Sequence, residues 1–199
     1  MRKLAILLGG SLVLAACATN PPPPPPAPPA PMVDPNNPLF APGFLAQAAS
    51  ANQFEIASSQ LALQASQNQA VRNYANLLIA DHTRLGAQVT ATAQSAGLTM
   101  PPPGLLPAQQ AALDQLRAAG AGPSFDMAFR QAQIDAHNQA IGLMQNYSTG
   151  GDVPALRSAA AGAIPMMQMH LQQAQMLNVA PPPPPPMPAP TERGAGERG

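Results

Sequence analysis

The chain has 199 residues, nine Lys+Arg against nine Asp+Glu, 9% charged and 4% aromatic residues, and no Trp. That length holds one domain of ordinary size, and the scattered arginines exclude both the basic footprint of nucleic-acid binding and the polybasic patch that grips anionic lipid. An alanine- and glutamine-rich composition favours helices over strands, and most of the 27 prolines fall in two terminal tracts.

Residues 1–16 read as a leader. Arg2 and Lys3 precede a largely apolar run from Leu4 to Leu14, which is too short to span a bilayer as a stable helix. Leu14-Ala15-Ala16-Cys17 resembles the bacterial lipobox, which implies lipid on the Cys17 thiol, cleavage before it, and acylation of the new amino terminus. Several acyl chains at one residue exceed the single-chain threshold for stable anchoring. Ala18 in place of Asp implies, by the same resemblance, an outer-membrane location facing the periplasm. Cys17 is the single cysteine, so no intramolecular disulfide can form. Removing Arg2 and Lys3 with the leader leaves a mature chain near −2.

Residues 17–38 carry six consecutive prolines, Pro21–Pro26, which favour polyproline II and cannot join a packed core. At about 3.1 Å per residue the stretch reaches roughly 50 Å. A second tract, Pro181–Pro190, opens a disordered tail over 180–199. The domain is expected between them, over 39–179.

Breakers divide that domain into helices at about 42–66 and 68–96, a short one at 107–119, one from Ser124 to about Gly150, and one after Asp152. Ser124 and Asp152 are the expected N-caps, Pro154 suits a first turn, and Pro165 is expected to kink the last helix without ending it. Apolar stripes recur at steps of three and four. Phe44, Ala48, Ala51, Phe54, Ser58, Leu61 and Ala65 form the first, and Val71, Ala75, Leu78, His82, Leu85 and Val89 the second. Ile134, His137, Ile141 and Met144 form the third; Leu156, Ala160, Ala163, Met167, His170, Ala174 and Leu177 form the last. This pattern predicts an all-α, up-down four-helix bundle with an extra short helix in the middle connection, flanked by disordered proline-rich segments.

Each of the three histidines lies on the stripe of a different long helix, which is how bundles build metal sites. Folding the first hairpin about residue 67 or 68 puts Glu55 within a turn of His82. Folding the second about 150 or 151 sets His137 opposite residue 163, which misses His170 by seven residues, about 10 Å. The pairs expected from this register are Glu55 with His82 and Gln133 with His170, so a compact three-histidine site is not expected.

Phe54-Glu55-Ile56, Val71-Arg72-Asn73-Tyr74-Ala75, Asp81-His82, Phe125-Asp126 with His137, and Ile164-Pro165-Met166 with His170-Leu171 stand in a familiar order. Over about residues 40–178 the chain resembles the bacterial domain-of-unknown-function family 4142, envelope proteins placed in the ferritin-like group. The resemblance implies the bundle and no activity. Ferritin-like di-iron sites need Glu-x-x-His, but Ile79, Ile134 and Met167 stand three residues before the histidines, so the iron carboxylates are missing. Asp81 and Asp135 are expected on other helix faces.

The sequence-level expectation is therefore a lipid-anchored envelope module, binding or structural and not enzymatic. Its partners would be the membrane and envelope proteins or the cell wall, with no nucleic acid and no resident cofactor. The alternative is a periplasmic metal- or copper-binding bundle using His82, His137, His170 and Glu55. The Met166, Met167 and Met169 cluster beside His170 suits Cu(I), although methionine is also a flexible core filler. Free-thiol, phosphate-loop and nucleophile motifs are absent from the sequence.

Overall fold

The computed structural model describes Asp34 and residues 36–179. The expected leader, Cys17 and the proline runs at 21–26 and 181–186 lie outside the described residues. Within them the chain forms α1 (Ala41–Ala65), α2 (Gln69–Ser95), α3 (Pro107–Ala118), α4 (Pro123–Gly150) and α5 (Pro154–Met176).

Proline starts four of these helices, at Pro42, Pro107, Pro123 and Pro154, where its missing N–H has no helical partner to lose. Only α2 has a side-chain cap: Asn68 Oδ1 accepts from the Ala70 N–H at 2.9 Å. The two expected caps are corrected. Ser124 lies inside α4, whose N-cap is Gly122 at φ +82°, a left-handed conformation that favours glycine. Its N–H donates to the Ala65 carbonyl at 2.9 Å, which ties the start of α4 to the end of α1. Asp152 does not cap α5; its carboxylate accepts from the Tyr147 hydroxyl at 2.8 Å. Helix α5 runs through Pro165, as expected.

The apolar residues sort into two clusters that fix the topology. One joins the start of α1 (Phe44, Leu45, Ala48) to the end of α2 (Leu85, Ala93), the end of α4 (Ile141, Met144, Tyr147) and the start of α5 (Leu156, Ala160, Ala163). The other joins Phe54 and Ala62 of α1 to Val71, Tyr74 and Leu78 of α2, Phe125 and Phe129 of α4, and Ala174 of α5. Thus α1 and α5 run one way while α2 and α4 run the other. The order is up-down-down-up, the ferritin-like arrangement with one long crossover.

Residues 96–122 are that crossover. Leu98 and Met100 pack on the first cluster, while Leu113 and Leu116 of α3 sit in the second. Helices α1 and α2 form one hairpin and α4 and α5 the other, and α3 packs on α1 and α4. Among the described residues, no helix is long and apolar enough to cross a membrane.

Candidate metal centre

Between the two apolar clusters lies a polar layer. Glu55 and Ser58 come from α1, Asp81 and His82 from α2, Gln133 and His137 from α4, and His170 from α5, and all are buried. The three histidines are 2%, 1% and 0% exposed.

Contrary to the register expectation, the three imidazoles meet. Ring centroids are 5.7 Å apart for His82 and His137, and 5.4 Å for both His82–His170 and His137–His170. One ligand nitrogen from each lies within 4.8 Å of the others. Two physical effects close the expected gap. Arg130 donates to the Ala174 and Gln175 carbonyls at 3.2 and 2.8 Å, so His137, two turns on, stands level with about Met167 and not with residue 163. The one turn that remains is covered by side-chain lean. Helical side chains tilt toward their own N-terminus, and in antiparallel α4 and α5 this brings His137 and His170 toward each other.

Each ring is oriented by one hydrogen bond. His170 Nε2 donates to Asp81 Oδ2 at 2.9 Å, His137 Nδ1 to the Gln133 carbonyl at 2.9 Å, and His82 Nδ1 to Asn52 Oδ1 at 3.1 Å. Because these oxygens only accept, the ring proton sits on the bonded nitrogen. The other nitrogen of each ring, His82 Nε2, His137 Nε2 and His170 Nδ1, keeps its lone pair and has no partner. Donation of one imidazole N–H to a carboxylate or carbonyl, with the second nitrogen free, is how metal-ligating histidines are held.

Both expected pairs are thereby corrected. His82 bonds Asn52, one residue from the position its register predicted, while Glu55 Oε1 lies 3.6 Å from His137 Nδ1 on the neighbouring helix. Gln133 donates from its amide to Ser58 at 2.9 Å and bonds His137 through its backbone, not His170. Asp81 is buried and holds His170, with Arg84 on its other oxygen at 2.8 Å. Asp135 is exposed and bonded to Gln131, as expected of an outward face.

The electrostatics favour neutral ligands. Burial pushes His82 down to about 3, with His137 and His170 adding to the effect. Burial also pushes His137 down to about 4 against the Gln133 carbonyl, and lowers His170 against the opposing pull of Asp81. Burial raises Glu55 to about 8, which the Gln133 amide offsets only in part. Glu55 Oε2 has no hydrogen-bond partner. The three imidazoles are thus neutral, and the Glu55 carboxyl largely protonated, near neutral pH.

The methionine cluster divides. Met167 is buried and lines a cavity with His82 and His137, Met166 is half-buried against the first apolar cluster, and Met169 is 43% exposed.

The donor set fits a first-row transition ion. Imidazole suits zinc, copper and nickel, and three such ligands leave a coordination position to be filled by another group. The alternative, a purely structural layer, gives these three ring nitrogens no partner among the protein's own groups.

A family model described as "Domain of unknown function (DUF4142)" matches residues 23–177. No curated protein matches the chain. A solved structure described as "CopM in the Cu(II)-bound form" is similar at a TM-score of 0.57 and 20% identity, over 69% of this chain and 94% of that one. At that identity the likeness shows a shared helical fold.

Proposed function

The chain belongs to the DUF4142 family, and we propose that its bundle is a metal-binding module in which His82, His137 and His170 hold one transition-metal ion. The observation that carries this reading is the set of three buried imidazoles on three helices, each with one nitrogen tied to an oxygen acceptor and the other left free.

In this reading Asp81, Asn52 and the Gln133 carbonyl fix the tautomers, and Arg84 steadies Asp81 from the surface side. Glu55 stands beside His137 and can offset the charge of an incoming ion by giving up its proton. The bound ion supplies Lewis acidity or, for copper, one-electron chemistry. The chain's own residues supply a preorganised set of neutral nitrogens. Copper is the favoured ion: the cavity beside the histidines is lined with methionines, and the similar bundle is described in a Cu(II)-bound form.

Lipid on Cys17 and the proline-rich segment would place this module in the bacterial envelope, facing the periplasm and held off the membrane. The role is binding rather than catalysis. Equilibrium dialysis of the full-length protein against copper or zinc tests the reading: one ion per chain is expected, lost in His82→Ala. Equal binding by the parent and the variant would overturn it.

A further inference from the structure

The histidine layer is not sealed. A cavity of about 280 Å³ reaches it between α1 and α2, with His82, His137 and Glu55 among its walls. The same cavity is lined by Met144, Met167 and Met100, the last half-buried in the loop that leaves α2. Pro101 and Pro103 follow Met100 along that wall, and the loop is held over α1 where the Gly104 N–H donates to Gln53 Oε1 at 2.8 Å.

These residues bring methionines from three different segments, the crossover loop, α4 and α5, to the lining of one space that also has two imidazoles in its walls. Glu55 is the one carboxyl in its lining. A hard, hydrated divalent ion gains little by exchanging its water for thioether sulfur. A soft monovalent ion can exchange water for thioether sulfur, which binds Cu(I) and is a poor ligand for hard ions.

We propose that Met100, Met144 and Met167 form a thioether station through which a soft monovalent cation of the Cu(I) class reaches His82 and His137; this rests on the reading of the histidines as ligands. Met144 and Met167 are 4% and 3% exposed and also fill the core. The test therefore uses leucine, which conserves volume and apolarity and removes only the sulfur.

The full-length apo-protein is mixed anaerobically with the Cu(I) complex of a chromophoric chelator, and the rate of copper transfer is followed by absorbance. Co(II) titration, read by its visible absorption, reports on the histidines separately. Met144→Leu/Met167→Leu and, independently, Met100→Leu are expected to slow Cu(I) transfer at least tenfold with Co(II) binding unchanged. Transfer at the parent rate in both variants overturns the thioether station and leaves the histidine site standing. A parent that binds Co(II) and takes no Cu(I) does the same. A parent that binds neither ion overturns the histidine site as well.

Discussion

His170 Nε2 donates to Asp81 Oδ2 at 2.9 Å, so the residue that orients one histidine is the chain neighbour of another, His82. Successive helix positions differ by about 100°, which lets α2 meet α5 through Asp81 while His82 bonds Asn52 of α1. Asp81 is therefore expected to act on the metal through His170. Asp81→Asn should weaken metal affinity about 10- to 100-fold while the bundle stays folded. Competition against a chelator of known affinity checks this, and unchanged affinity would rule out the positioning role.

His137 separates a metal-binding layer from a structural one. Its Nδ1 bonds the Gln133 carbonyl of its own helix, and its Nε2 bonds nothing. Replacement by leucine removes an unpaired buried nitrogen and leaves that carbonyl its helical partner. The apo-protein of His137→Leu should keep its stability within about 1 kcal/mol, or gain, because deleting an unsatisfied polar group is nearly neutral. Urea unfolding measures it. A loss of several kcal/mol would mean that the imidazole is there for the fold.

Protonation should act on stability from both sides. The histidines are held below their ordinary 6.5, at about 3 for His82 and about 4 for His137, so the unfolded chain binds protons that the folded one excludes. Their contribution is full above about pH 6.5 and is lost as pH falls toward 4 and below. Glu55 runs the other way, from 4.5 unfolded to about 8 folded. Its contribution is full below pH 4.5 and is lost as pH rises through 8. Melting curves of the apo-protein should fall off on both flanks, and Glu55→Gln should flatten the alkaline flank only. A variant that changes the acid flank instead would contradict this assignment.

The helices themselves were legible because burial imposes a 3.6-residue period on the sequence. All seven positions of the last stripe, from Leu156 to the α5 C-cap Leu177, are buried. In α1 the stripe is blurred. Ala51, Leu61 and Ala65 are only half-buried, and α1 also buries Leu45, Ser50, Glu55, Ser59 and Ala62, because it packs against α2, α3 and α4 together.

The histidine stripes were equally legible, but their meeting was not. It depends on where the α4–α5 turn is centred and on which way side chains lean, and sequence spacing alone misplaced the partner of His137 by about one turn before lean was counted. Asp81 was read as facing away because it lies off the stripe. Its burial follows from α2 having two bundle neighbours, α1 and α5. Asn52, Met100 and Met144 carry no local motif, and only the assembled bundle brings them to the site.

The envelope setting has its own test. Mass spectrometry of the mature protein from its native membrane is expected to find Cys17 at the amino terminus, carrying lipid on sulfur and nitrogen. An unmodified cysteine, or a different first residue, would remove the anchor from the proposal.

The most direct measurement is X-ray absorption at the metal edge of the full-length protein loaded with one equivalent of copper. Three imidazole nitrogens at about 2 Å are predicted, with that signal lost in a His82→Ala, His137→Ala or His170→Ala variant. An ion surrounded by oxygen alone, or a spectrum unchanged in all three variants, would contradict a histidine-bound metal in this bundle.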